Sequence, residues 1–165
     1  MNYVCGFMMS WDLQEFLLIR KTHPDWMKGK WNGIGGKIET NEMHTGMHDI
    51  YKETPHETMI REFYEETGIQ TTKKRWHCFH IEEFKKGPDS QEGTKVYYFA
   101  AFGDETKRES FGLRKEQIKT HTLIDVFWDQ GEYLWNLNYL LHMIIYQVRK
   151  GFFHQLNPQG VNSIL

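Results

Sequence analysis

The chain has 165 residues, of which 39% are hydrophobic and 25% are charged, and this length and composition are typical of one globular domain. Twenty Lys and Arg residues against 22 Asp and Glu residues give a formal net charge of −2, so the chain lacks the broad basic surface that sequence-independent nucleic-acid binding requires. We therefore expect one domain over residues 1–165 without a nucleic-acid partner.

The apolar and cysteine content indicates a cytoplasmic protein. Polar residues interrupt the longest apolar stretch, Leu134 to Val148, well short of the roughly 18 apolar residues of a membrane span. The first residues carry no basic segment of a signal peptide. Cys5 and Cys78 are the two cysteines, too few for a disulfide framework and not at zinc-binding spacing.

The first third of the chain predicts two strands followed by loops. Alternating and continuous apolar residues around a turn at Trp11-Asp12 predict an opening hairpin, and residues rich in Gly, Pro and charge predict loops. The strands are Tyr3 to Met9 and Glu15 to Arg20, and the loops are Lys21 to Trp31, leading into Gly33-Ile34-Gly35-Gly36, and Thr40 to Lys52.

Three independent signals predict a helix from Pro55 to Thr67. Thr54 precedes Glu57 by three residues, as in a capping box. Pro55 occupies the first helical position and Gly68 follows the last one, which is the usual asymmetry of helix ends.

The remaining elements complete a mixed α/β domain. Apolar runs predict strands, and apolar residues at helical spacing predict a final helix that ends before Gly151. The strands are Arg75 to Phe84, Val96 to Phe102 and Gln117 to Val126, with a turn at Lys86 to Ser90 after the first, and the helix is Glu132 to Lys150.

The central helix carries three carboxylates on one face. Glu62, Glu65 and Glu66 stand at positions i, i+3 and i+4, where like charges repel each other. Mg²⁺ binds a few carboxylates together with water and substrate phosphates, so the cluster indicates a metal site. For the helix alone, a solvated acidic face is the alternative interpretation.

The glycines ahead of this helix complete a pattern that resembles the Nudix hydrolases. The segments GGKIE and ETPHETMIREFYEETGI match the family's box of Gly, five residues, Glu, seven residues, Arg-Glu, an apolar residue, any residue, Glu-Glu, any residue, Gly and an apolar residue. The resemblance implies a Nudix-type α/β/α sandwich with a mixed sheet.

One departure from the box leaves two candidates for its first Glu. The family places this Glu six positions after the glycine, but Gly36 and Glu53 are seventeen positions apart. The chain therefore carries an insertion of about eleven residues within 40–52. Glu42 has the right spacing to Gly36 and Glu53 has the right spacing to Arg61; we favour Glu53 because it adjoins the capped start of the helix.

The resemblance implies hydrolysis of a pyrophosphate bond in a nucleoside diphosphate derivative, with Mg²⁺ or Mn²⁺ as cofactor. It implies that Glu62, Glu66 and the Gly35 carbonyl bind metal, that Glu65 binds metal or positions water, and that Arg61 orients Glu53 or the cluster. Glu116 stands where many members carry a general base, with Glu105 and Glu109 as weaker candidates.

The segment KWNGIGGK also resembles the oxidised-purine nucleoside triphosphatases of the family, whose matching Asn, here Asn32, contacts the base. Trp128-Asp129 partly matches their base-gripping segment, but Gln130-Gly131 follows instead of a second acid. We therefore expect a purine nucleoside triphosphate, oxidised or not, as the small-molecule substrate. The alternatives are an ADP-ribose, ADP-sugar or dinucleotide pyrophosphatase and a non-catalytic nucleotide-binding module, against which the intact box acids argue.

Overall fold

The computed structural model describes residues 1–40, 52–85, 93–108, 116–129 and 131–151. These residues form six strands, three α-helices and three short 3₁₀ turns at Asp25–Met27, Lys73–Arg75 and Asp104–Lys107. The strands are β1 (Asn2–Met9), β2 (Glu15–Arg20), β3 (Trp31–Asn32), β4 (His77–Lys85), β5 (Gly93–Phe102) and β6 (Ile118–Thr122). The helices are α1 (Pro55–Thr67), α2 (Leu123–Trp128) and α3 (Leu137–Arg149).

The six strands form one mixed sheet. β1 pairs in parallel with β5 along its whole length and antiparallel with β2. β4 pairs antiparallel with the other edge of β5, while β3 and β6 both pair antiparallel with β2. This arrangement brings the loops at the end of β2, before α1 and before β6 together.

Each face of the sheet is covered by one long helix. Side chains alternate along a strand, so Phe16 and Leu18 of β2 enter one core and Leu17 and Ile19 enter the other. The first core contains the apolar stripe of α3, and the second contains Met59 and Phe63 of α1. The α/β/α sandwich with a mixed sheet is confirmed.

Local hydrogen bonds delimit α1 as predicted. The Thr54 hydroxyl accepts a hydrogen bond from the Glu57 N–H at 3.3 Å, and the Glu57 carboxylate accepts one from the Thr54 N–H at 2.7 Å. Gly68 ends the helix in the left-handed conformation, with φ of 73°. The capping box, Pro55 at the first turn and the terminal glycine therefore act together.

Four predicted boundaries are wrong by two residues or more. The strand predicted from Val96 starts at Gly93, because residues 93–95 pair with β4. The strand predicted over Gln117 to Val126 ends at Thr122, because Thr122 and Asp125 form a second capping box that starts α2. The last helix starts at Leu137 rather than Glu132, because the backbone of 132–134 hydrogen-bonds to Trp31 instead. The strand predicted from Arg75 starts at His77, after a 3₁₀ turn.

Two predicted loops fall largely on residues outside the described ranges. These are the insertion at 40–52, of which Thr40 and Lys52 are described, and the turn at 86–90, of which nothing is described. In the described ranges, no helix has the length and apolar character needed to cross a membrane.

Candidate active site

Arg61 of α1 joins three carboxylates of the box. Its Nη1 donates to Glu62 Oε1 at 2.7 Å and to Glu65 Oε2 at 3.3 Å. Its Nε and Nη2 donate to the two oxygens of Glu53 at 3.0 and 2.7 Å. Hydrogen bonds to Glu53 and then to Glu62 raise the pKa of Arg61, so the guanidinium stays charged throughout the stable pH range.

Glu53 is held by the backbone of Glu39, just before the 40–52 segment, as well as by Arg61. Its Oε1 also accepts a hydrogen bond from the Glu39 N–H at 3.1 Å. Partial burial favours a higher pKa for Glu53, but the hydrogen bonds from Arg61 and the Glu39 backbone outweigh it, and the pKa lies below its ordinary value. Glu53 is therefore a fixed, ionised group beside the helix, whereas Glu42 lies outside the described residues.

Glu62 and Glu66 are buried carboxylates that face the glycine loop. Their exposed fractions are 7% and 3%, and a Cβ on Gly36 would lie 2.5 Å from the Glu62 carboxyl group. A side chain at position 36 would displace the Glu62 carboxyl group from this place. The glycine at position 36 thus brings the loop backbone against the carboxylate face of α1.

Lys21 contacts the same face from the end of β2. Its Nζ donates to the Gly35 carbonyl oxygen at 3.1 Å and lies 3.8 Å from Glu66 Oε1. The sequence predicts only that Lys21 begins a loop, because nothing local indicates that its side chain reaches residues 14 and 45 positions away. Gly35 and Glu66, two predicted metal ligands, are therefore brought together around a cation.

The chemistry of these donors fits a hard divalent cation. Carboxylate and carbonyl oxygens are the ligands of Mg²⁺, and the Lys21 ammonium shows that a positive charge is accommodated between two of them. Among the described residues, no three His, Cys, Asp or Glu side chains are already gathered as a metal site. Arg61, which contacts both Glu62 and Glu65, lies where the carboxylates would otherwise converge.

The candidate general base lies at the same end of β2. Glu116 Oε1 accepts hydrogen bonds from the N–H and hydroxyl of Thr22 at 3.0 and 2.7 Å. Thr22 follows Lys21 directly, so Glu116 is anchored next to the residue that contacts Glu66. Glu105 instead forms a salt bridge with Arg75, and Glu109 lies outside the described residues.

The three predicted substrate-binding residues fall at two places. Trp128 and Asp129 line a surface cavity of about 490 Å³ next to α2, and Trp128 is 78% exposed, which rules out a role in the core. Asn32 does not line this cavity; its Oδ1 lies 3.9 Å from the Cys5 thiol. The neighbouring Trp31 does line it.

The cavity also contains a histidine and a tyrosine that no sequence pattern singles out. His121 Nδ1 lies 2.9 Å from the Tyr133 hydroxyl, and the buried His121 Nε2 has no hydrogen-bond partner among the described residues. Burial, reinforced by Lys119, lowers the pKa of His121 to about 4, so the ring is neutral at pH 7. A single histidine in a predicted strand carries no functional signal.

Comparisons with known proteins identify the fold and the family. The family model described as NUDIX domain matches residues 4–130. The NUDIX domain of Shewanella oneidensis NrtR, solved with ADP ribose, has a TM-score of 0.63 and 17% identity, with 90% of this chain and 88% of that chain covered. A C. elegans Ap4A hydrolase has a TM-score of 0.55 and 18% identity, with 90% and 98% covered.

A third solved structure contains a metal. The bifunctional NMN adenylyltransferase/ADP ribose pyrophosphatase of Francisella tularensis, complexed with AMP and Mn ion, has a TM-score of 0.56 and 19% identity, with 90% of this chain and 41% of that chain covered. No curated protein matches the chain. At these identities the solved structures show the shared fold, while the family model covers the glycine loop and the carboxylate helix. The chain belongs to the family of NUDIX domain proteins.

Proposed function

We propose that this enzyme hydrolyses the pyrophosphate bond of a purine nucleoside triphosphate, oxidised or not, with Mg²⁺ or Mn²⁺ as its cofactor. The observation that carries the proposal is the Arg61 guanidinium, which holds Glu53, Glu62 and Glu65 together on the face of α1. A non-catalytic module would have no need to keep these acids ordered at the cost of their mutual repulsion.

The residues of the box and Glu116 have different proposed roles in phosphoryl transfer. Glu62, Glu65, Glu66 and the Gly35 carbonyl would hold the cation, which when bound neutralises charge on the polyphosphate. Arg61 and Glu53 form a charge-assisted pair that keeps Glu62 in place. We assign Glu116 as the base that accepts a proton from the water attacking phosphorus, since Thr22 already fixes its carboxylate.

The cavity beside α2 supplies a site for the base of the nucleotide. Trp128 offers an exposed flat aromatic surface on which a purine ring can stack, whereas Trp31 is buried in the cavity wall. The Asp129 carboxylate would accept hydrogen bonds from a base edge. Arg20 contacts two of the residues that line the cavity: its Nη2 lies 3.3 Å from Glu132 Oε2, and its guanidinium carbon lies 5.8 Å from the centre of the Trp31 ring. Side chains alternate along a strand, so the adjacent Lys21 contacts Gly35 and Glu66 on the other face of the sheet. A nucleotide with its base in the cavity would extend past the end of β2 to bring its phosphates to the carboxylates.

A hydrolysis screen tests the proposal. The purified chain is incubated with Mg²⁺ or Mn²⁺ and with dNTPs, oxidised dNTPs, ADP-ribose or dinucleotides, and the products are separated. We expect purine triphosphates to give the highest kcat/KM and to release monophosphate and pyrophosphate. Preferred cleavage of ADP-ribose or a dinucleotide would establish the alternative, and turnover of none of these compounds would indicate a binding module.

The expectation of a small nucleotide partner without nucleic acid remains a prediction, as does the cytoplasmic location. A gel-shift titration with duplex and single-stranded DNA and RNA at moderate salt checks the first, because a net charge of −2 leaves little electrostatic attraction. Salt-sensitive binding below micromolar concentration would contradict it.

A further inference from the structure

The Lys21 ammonium occupies the space between two groups that the metal is expected to use. It donates to the Gly35 carbonyl at 3.1 Å and lies 3.8 Å from the Glu66 carboxylate, and its side chain is only 12% exposed. Glu66 is itself 3% exposed. This is a built contact between buried groups, unlike the surface ion pairs of the same chain such as Lys107 with Asp104.

An ammonium and a divalent cation compete for these oxygens. Mg²⁺ binds its oxygen ligands at about 2.1 Å and requires nearly octahedral geometry. If Lys21 Nζ stayed at hydrogen-bond distance from the Gly35 carbonyl, it would lie close to a metal ion bound to the same oxygen. The two positive charges would repel each other strongly, because the site is shielded from water.

We propose that Lys21 is a resident cation of this site, which neutralises Glu66 in the metal-free enzyme and leaves the Gly35 carbonyl when a divalent cation binds. This inference rests on the proposed metal site of the enzyme but not on its substrate. Lys21 therefore lowers the affinity for metal and stabilises the metal-free fold. The balance between the two cations sets the metal concentration at which the site fills.

The variant K21M tests the exchange directly. Met keeps the unbranched apolar stem of the side chain and removes the terminal ammonium with its charge, so the oxygens are no longer occupied. Titration calorimetry with Mn²⁺ alone should give binding about tenfold tighter than in the wild type, because a hydrogen bond to a charged group contributes about one power of ten to an equilibrium constant. Metal-free K21M should also have a lower Tm, and saturating Mn²⁺ should raise it by more than in the wild type.

K30M is the matched control. Lys30 Nζ donates to the Gly131 carbonyl at 2.6 Å, so this variant loses the same charge from a contact with a backbone carbonyl outside the carboxylate face. Its Mn²⁺ affinity should stay within about twofold of the wild type. Equal or weaker Mn²⁺ binding by K21M, or an equal gain in K30M, would overturn the proposal.

A second measurement uses the unmodified chain and does not depend on the folding of K21M. Reductive methylation followed by peptide mass analysis reports how accessible each amine is. Saturating Mg²⁺ should increase the rate at Lys21 relative to Lys30, because the ammonium leaves the buried contact. An unchanged or slower rate at Lys21 would refute the exchange. Neither measurement involves nucleotide hydrolysis, so a wrong substrate assignment leaves both results valid.

Discussion

The Arg61 guanidinium binds both carboxylate oxygens of Glu53, with Nε 3.0 Å from Oε2 and Nη2 2.7 Å from Oε1. Such a two-point contact fixes the orientation of the Glu53 carboxylate as well as its distance from the guanidinium. Arg61 also contacts Glu62, so Glu53 helps to fix the position of Glu62 on the carboxylate face of α1 by holding Arg61 in place. That Glu53 rather than Glu42 is the first Glu of the box stays a prediction.

Replacing Glu53 should therefore cost more activity than replacing Glu42. E53Q loses the charge that pairs with Arg61, and we expect kcat to fall about 10- to 100-fold, as is typical when a supporting group of a metal ligand is removed. E42Q should stay within about threefold of the wild type. Steady-state kinetics with a saturating metal concentration measure both, and the reverse order would move the role to Glu42.

Replacing either buried carboxylate of α1 should remove turnover while the fold is kept. E62Q and E66Q each take a negative charge from the proposed metal site, and we expect kcat to fall on the order of 10²-fold or more. Circular dichroism and thermal melts confirm that each variant is folded.

E57Q on the same helix is the control for charge. Glu57 is exposed and belongs to the capping box, and Gln serves in the same capping position. Its turnover should match the wild type. Near-normal turnover of E66Q in Mg²⁺ would show that Glu66 does not bind the metal.

Removing residues 41–51 should preserve the fold. The ends of this segment already meet, because the Lys52 N–H donates to the Glu39 carbonyl at 3.0 Å, and loop-closure entropy varies slowly with length. We expect the free energy of unfolding to change by less than about 1 kcal/mol, measured by urea denaturation. The deletion also restores the spacing of six between Gly36 and Glu53.

The same deletion should change the ranking of nucleotides by kcat/KM, if the insertion is a wall of the substrate site, because pocket shape sets differential transition-state binding. Replacing 41–51 by eleven Gly and Ser residues separates the effect of side chains from that of length. An unchanged ranking in both variants would show that the insertion takes no part in selectivity.

Lowering the pH from 7 to 5 should destabilise the enzyme through His121. The unfolded chain protonates this ring near pH 6.5, whereas burial lowers the folded-state pKa to about 4. Between these values the unfolded state binds more protons, so the free energy of unfolding falls as the pH falls. This group contributes a loss of about 2 kcal/mol from pH 7 to 5.

The variant H121F removes this titration while keeping an aromatic ring against Trp31. Urea denaturation at pH 7 and 5 should show a smaller pH dependence than in the wild type, by about the same 2 kcal/mol. An equal pH dependence in the two proteins would mean that His121 is protonated in the folded state near its ordinary pKa.

The elements that sequence reasoning located correctly depend on contacts between near neighbours in the chain. The bounds of α1 follow from Thr54, Glu57 and Gly68, which interact within four residues. The sandwich follows from apolar patterns that are repeated along each element. The box from Glu53 to Ile69 is contiguous, so its residue types and spacing could be recognised without knowledge of the fold.

The contacts that give this site its particular character join residues far apart in the chain. Lys21 meets Gly35 and Glu66, and His121 meets Tyr133 and Trp31, because β2 pairs with both β3 and β6. Strand pairing and register decide which side chains share a cavity, and no local pattern records which distant strand is the partner. For the same reason Trp128 and Asp129 share a cavity that Asn32 does not line.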